Sequence, residues 1–144
     1  MNQAIPASTI ATDRVVDSKV ETSKRVPLHE GEPTTLVEVF EHVARVHPRP
    51  DTLNYKHEGR WISISAAEML ERVRSIAAGL YSLGVRRGDR VAILSESRPE
   101  WVLTDAGCMF ATAIDVPIYP TLTPPQVRYI LQDSGAREIG RAHV

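Results

Sequence analysis

Between Arg90 and Arg137 the chain reads strand, helix, strand, helix, with a start or stop residue at nearly every boundary. Val91-Ala92-Ile93-Leu94 is an unbroken apolar run, the pattern of a parallel strand covered on both faces. From Pro99 to about Ala113 the sequence is apolar nearly all round, through Trp101, Val102, Leu103, Ala106, Cys108, Met109, Phe110 and Ala111. A helix of that kind is expected to be buried. Ser97-Arg98-Pro99-Glu100 is expected to cap it, with proline in the first turn. Ile114 to Tyr119 reads as the next strand, ended by Pro120. Thr123-Pro124-Pro125-Gln126 caps a last helix whose Val127, Ile130 and Leu131 face a core and which stops at Gly135. Strand, crossover helix and strand imply parallel pairing with a right-handed connection. The fold class is therefore α/β, an incomplete parallel-sheet (βαβ) portion of a larger domain, because such helices need more sheet than these residues supply.

Upstream, residues 1–33 read as a disordered or extended leader, polar and without apolar period. Thr35 and Glu38 fit a capping box, and Leu36, Val37, Phe40, Val43 and Ala44 follow at helical spacing until Pro48 and Pro50. Thr52–Tyr55 and Arg60–Ile64 are expected to form a hairpin around Lys56-His57-Glu58-Gly59. Ser65 and Glu68 fit a second capping box. It opens a helix with the stripe Met69, Leu70, Val73, Ile76, Ala77, Leu80 and Leu83, closed by Gly84 and Val85. The tail Ile139–Val144 matches one reading frame of a common sequencing adapter, so residues 138–144 are expected to be non-native.

Composition excludes some classes. The chain is 42% apolar and 24% charged with a formal net charge of -1, which gives no reason to expect a nucleic-acid partner. Met1 to Asp13 lacks the basic and apolar regions of a secretory signal. The longest apolar run, about Ala106 to Ile114, is far short of the ~20 residues of a membrane helix. Peripheral membrane contact stays open. Cys108 is the single cysteine, which excludes an internal disulfide and fits a reducing cytoplasm.

The chain offers few groups for chemistry. It has no G-x-G pair and no G-x-x-x-x-G-K, the loops that cradle phosphates. Ser95-Glu96-Ser97-Arg98 lies at a strand's C-terminal end, where open α/β sheets bind ligands, yet Pro99 lacks a donor and Glu96 repels phosphate. His42 and His47 are five apart and point to different sides of a helix. Cys108 has no cation near it in sequence to activate a thiolate. Arg86, Arg87 and Arg90 form a basic knot that reads as a turn pairing with Asp89 or Glu96. Trp101 reads as core. No catalytic, cofactor-binding or metal-binding residue is assigned.

Three segments resemble one family. GDRVAILSESRPEW (Gly88 to Trp101), IDVPIYPTLTPPQVRYILQDSGAR (Ile114 to Arg137) and the helix end LYSLGVRRGD are similar to the N-terminal region of long-chain fatty-acid CoA ligases. These are AMP-forming acyl-CoA synthetases of the adenylate-forming superfamily. The likeness runs from about Thr35 to Arg137, so residues 34–137 are expected to be part of that family's large N-terminal domain. VPIYPTLT (Val116 to Thr123) looks closer to the long-chain acyl branch than to luciferases or peptide-synthetase domains. The resemblance implies ATP, Mg²⁺ and CoA for a complete enzyme, with a fatty acid as substrate, in the cytoplasm. A carboxylate attacks the α-phosphate of ATP to give acyl-adenylate and pyrophosphate, and the CoA thiol then displaces AMP. The family's Ser/Thr/Gly-rich pyrophosphate loop, aromatic-Thr-Glu motif, ribose-binding Asp and C-terminal Lys are absent here, and Lys19, Lys24 and Lys56 lie in no such context. The expectation is a ligase fragment, itself inactive. The alternatives are another adenylate-forming ligase (an aryl-CoA ligase or an amino-acid adenylation domain) and a non-catalytic α/β interaction module. A nicotinamide-binding Rossmann domain is disfavoured by the missing glycines.

Overall fold

The computed structural model describes residues 31–141. The elements run α1 (Leu36–Val46), β1 (Leu53–His57), β2 (Arg60–Ile64), α2 (Ala66–Ser82), β3 (Arg90–Leu94), α3 (Pro99–Phe110), β4 (Ile114–Ile118), α4 (Pro124–Ser134) and β5 (Glu138–Arg141). β1 and β2 form an antiparallel hairpin; β4-β3-β5 form a parallel sheet with β3 in the middle. Of the leader expected over residues 1–33, residues 1–30 lie outside the described residues.

The caps explain most boundaries. At α1 the Thr35 hydroxyl accepts from the Glu38 amide at 3.2 Å, and Glu38 Oε2 accepts from the Thr35 amide at 3.1 Å. The expected capping box is therefore complete. At α2 the Ser65 hydroxyl accepts from the Glu68 amide at 3.2 Å, while Glu68 turns outward to Arg72. α2 ends in a Schellman motif: Gly84, at φ 94, donates to Tyr81 and Val85 donates to Leu80. Leu80 and Val85 are both buried in the same cluster, which closes the motif's apolar contact. The hairpin turn is tighter than the sequence suggests. His57 pairs with Arg60, and Glu58 and Gly59 sit at φ 48 and 79, the double positive φ of a two-residue I′ turn.

Two sequence expectations are corrected by backbone sterics. Ser97 does not cap α3; Arg98 is the N-cap, with no side-chain cap. Pro99 forces the residue before it into extended backbone (φ -137, ψ 161 at Arg98), so Ser97 sits one position too early. Glu100 instead accepts from Arg98 Nε at 3.1 Å. Leu83, expected in the core stripe of α2, is 67% exposed because it lies at the helix's C-cap.

β3 carries the core. Val91, Ala92 and Ile93 are 2%, 0% and 3% exposed, as a strand covered on both faces requires. Val91 and Ile93 pack with Cys108, Leu80 and Val85, which joins α2 and α3 to the sheet. A second cluster of Ile64, Met69, Val73, Leu103 and Ala106 joins the hairpin, α2 and α3, with Phe40 and Phe110 edge to face at 6.2 Å. As expected, no residue of α3 from Trp101 to Phe110 is exposed.

β5 is a strand that the sequence does not announce, and it falls in the expected tail. It pairs in parallel with β3, from Val91 opposite Glu138 to Leu94 opposite Arg141. Its sequence, Glu-Ile-Gly-Arg, has little strand preference. The free edge of β3 supplies the partner that propensity does not.

Two positions on α3 set its packing. A Cβ at Gly107 would lie 2.9 Å from the Cβ of Ile76 on α2, so glycine is what lets the helices meet. Gly107→Ala is expected to destabilise the fold by about 1–3 kcal/mol through overpacking, read as a lowered urea midpoint. After α3, Thr112 sits at φ 56, a left-handed conformation that costs a β-branched residue. Thr112→Gly should relieve that strain and raise stability by about 1 kcal/mol, seen as a higher melting temperature.

Candidate functional site

Open α/β sheets bind ligands beyond the carboxyl ends of their strands, where successive connections leave in opposite directions. Here β3 leads through α3 to β4 on one side, and β4 leads through α4 back to β5 on the other. The candidate site is therefore the edge formed by residues 95–98 after β3 and residues 119–123 after β4.

Two open clefts lie at this edge. One, of about 770 Å³, runs between β1 and the start of α3 and is lined by Tyr55, Lys56, Glu96, Arg98 and Trp101 among others. The other, of about 670 Å³, lies between Leu94, Pro120 and Leu122 on one side and Val127, Arg128 and Leu131 of α4 on the other. Trp101 is half-buried and also packs against the cluster of Leu80, Val85, Val91, Ile93 and Cys108. The residues at this edge do not fit a nucleoside triphosphate. Ser95 Oγ donates to the Glu96 carbonyl at 2.9 Å, Arg98 is held by Glu100, and Pro99 offers no amide. Among the described residues no group of three or more His, Cys, Asp or Glu side chains converges as a metal site. His42 lies on α1 and His47 is its C-cap, with no carboxylate brought between them.

The basic knot is used by the fold. Arg86 Nη1 donates to the carbonyls of Tyr81 and Val85 at 2.9 and 3.0 Å, and the guanidinium lies 4.2 Å from the centroid of the Tyr81 ring. It thereby neutralises the negative end of α2. Asp89 accepts from the Arg86 amide at 2.8 Å and from Arg137 Nη1 at 3.1 Å. The amide bond, with Arg137 and Arg90 nearby, holds the Asp89 carboxyl below its ordinary range. Arg90 lies against Gly135, where an added Cβ would come within 3.2 Å of its Nη2. These charges tie α2, β3 and the end of α4 together at the sheet's amino end, opposite the candidate edge.

One titratable cluster escapes sequence reasoning. Asp105 on α3 and Asp115 on β4 are both half-buried, and the Asp115 carboxylate lies near enough to act on the Asp105 carboxyl. Burial first, then the Asp115 charge, raises the Asp105 pKa. Cys108, one turn on, is 0% exposed, and burial with the two carboxylates pushes its thiol up to about 11. That suits an inert packing group, as the sequence indicates. The nine residues between Asp105 and Asp115 carry no periodicity that pairs them.

Residues 40–139 match the AMP-binding enzyme family. The chain belongs to that family. The long-chain-fatty-acid–CoA ligase FadD15 of Mycobacterium tuberculosis is 40% identical over 119 residues, covering 81% of this chain and 19% of that protein. The uncharacterized protein Rv1549 of the same species is 32% identical over 107 residues, 74% of this chain and 60% of that protein. A fatty acid AMP ligase from Legionella pneumophila superposes with a TM-score of 0.71 at 23% identity, over 76% of this chain and 20% of that structure. This chain thus spans about a fifth of the FadD15 length. The fold is that of part of an adenylate-forming ligase's N-terminal domain, and the family is one of AMP-binding acyl-CoA ligases.

A raised acid pKa in the fold means that the native state holds its proton more tightly than the unfolded chain. Its contribution is neutral below the unfolded pKa and turns unfavourable as pH rises through the folded one. Asp105→Asn keeps a donor for Asp115 and removes that charge. The variant is expected to melt higher than the parent at pH 7, with the gain gone near about pH 3 where carboxylates are protonated in both states. Melting curves across pH check this.

Proposed function

We propose that this chain is the front portion of a long-chain fatty-acid–CoA ligase and that its role is scaffold. Residues 34–137 form part of the large N-terminal domain, working in the cytoplasm, and residues 138–144 are a non-native tail. The observation that carries the reading is 40% identity over 119 residues to FadD15, supported by the fold of the Legionella ligase.

In the complete enzyme a fatty carboxylate oxygen bonds to the α-phosphorus of ATP as the bond to pyrophosphate breaks. The CoA sulfur then bonds to the acyl carbon as AMP leaves. Negative charge gathers at phosphorus in the first step, so such sites depend on placed cations and amide donors. ATP, Mg²⁺ and CoA therefore bind groups outside this chain. The described residues position that machinery through the sheet and the buried α3.

Two experiments test this. Residues 1–144 alone, with ATP, Mg²⁺ and a long-chain fatty acid, are expected to form no acyl-adenylate. A chimaera in which this chain replaces the matched 119 residues of FadD15 is expected to form long-chain acyl-CoA. A soluble, folded chimaera that accepts only aryl or amino-acid substrates, or none, would overturn the reading.

A further inference from the structure

The hairpin runs on past the core that anchors it. Leu53 and Tyr55 of β1 and Ile64 of β2 pack in the cluster shared with α2 and α3, but every residue from Lys56 to Ser63 is exposed. The tip therefore projects beyond the body of the fold. A projecting turn is ordinarily polar, and this one is not. Trp61 is 73% exposed, more than any other large apolar side chain among the described residues, and Ile62 beside it is 36% exposed.

Register fixes how these groups are arranged. In a hairpin with a two-residue turn the closing pair, here His57 and Arg60, exchanges hydrogen bonds, and the next pair does not. Lys56 and Trp61 are that next pair, so their side chains stand close together on one face. It is the face opposite the one that carries Leu53, Tyr55 and Ile64 into the core. Arg60 precedes Trp61 at the turn, and Glu58 is the single acid among residues 53–67. Among the described residues neither Lys56 nor Arg60 enters an ion pair, and no ring or guanidinium stacks on Trp61.

Area and charge decide what such a tip can meet. A stable protein interface buries about 800 Å² on each partner, more than a few residues at a turn present, and lysine is depleted from such interfaces. A bilayer surface asks for less area and for a particular mixture. Tryptophan settles at headgroup level, with its apolar ring below and its N–H above, and each nearby cation is drawn to anionic lipid. We propose that the hairpin tip, through Trp61 with Lys56 and Arg60, is a contact surface for an anionic lipid bilayer. The indole enters the headgroup zone and the two cations meet lipid phosphates. The tip borders the cleft between β1 and the start of α3, so a bilayer held there lies beside the candidate edge. The surface rests on the hairpin's own geometry and does not depend on the ligase reading.

The test mixes residues 1–144 with vesicles of equal parts phosphatidylcholine and phosphatidylglycerol and reads bound protein by sedimentation. Binding is expected, and it should weaken on phosphatidylcholine alone and as salt rises. Lys56→Gln and Arg60→Gln should each weaken it about fivefold. Trp61→Ala should weaken it by about tenfold or more, and Trp61→Phe by less than Trp61→Ala. All three positions are exposed, so the variants should melt with the parent. Lipids brominated near the headgroup end of their acyl chains should quench tryptophan emission in the parent. They should quench none in Trp61→Phe, whose remaining Trp101 is half-buried. The FadD15 chimaera described above should show the same quenching, whether or not it forms acyl-CoA. Binding that ignores all three substitutions, or emission that brominated lipid leaves unchanged, overturns the inference. So does a chimaera in which Trp61 is shielded from lipid, for then protein occupies the tip.

Discussion

A parallel strand buried on both faces has no independent stability, and β3 is such a strand. Its three central residues are at most 3% exposed, so each face needs an apolar cover and each edge a partner strand. The α3 cover must be apolar all round because α2 and the hairpin pack on its other side. That is why Leu103 and Ala106 belong to one core cluster and Cys108 to the other. The same squeeze explains Gly107: with α2 pressed against α3 at Ile76, a methyl group there has no room. Sequence, helix packing and sheet burial are one constraint seen at three scales.

The charges follow from the same geometry. Between α2 and β3 the chain reverses direction within a few residues, leaving carbonyls at the end of α2 and amides in the turn to be satisfied. Arg86 takes the carbonyls, and Asp89 takes the Arg86 amide and then Arg137. Arg-rich turns invite an anion-binding reading, but a guanidinium already shared between two carbonyls and a tyrosine face has little left to offer a ligand.

Features governed by local chemistry were legible in the sequence. Thr35 and Glu38 announce α1, Gly84 closes α2, and the apolar run Val91–Leu94 is the central strand. Features set by tertiary context were not. Glu138–Arg141 becomes a strand because β3 has a free edge, not because its residues favour one. Ser97 resembles a cap until the steric effect of Pro99 on Arg98 is counted. Asp105 and Asp115 meet only because α3 lies over β4, a juxtaposition that no spacing in one dimension records. The candidate edge is legible as a place, since topology fixes it, but the residues there are committed to caps and clefts.

That commitment separates scaffold from chemistry along the sheet. At the amino end of the strands Asp89, Arg86 and Arg137 are locked into turns. At the carboxyl end the clefts are walled by Leu94, Pro120, Leu122 and Leu131, with Lys56, Glu96 and Arg98 at the rim of the neighbouring cleft. Phosphoryl chemistry needs preorganised donors aimed at developing charge, and an apolar wall cannot supply them. Such a wall can exclude water and fix the position of whatever closes over it, which strengthens every electrostatic contact made there. On the ligase reading this chain contributes the low-dielectric half of the site. The polar half arrives across the carboxyl edge from residues that this stretch holds in place and does not contain.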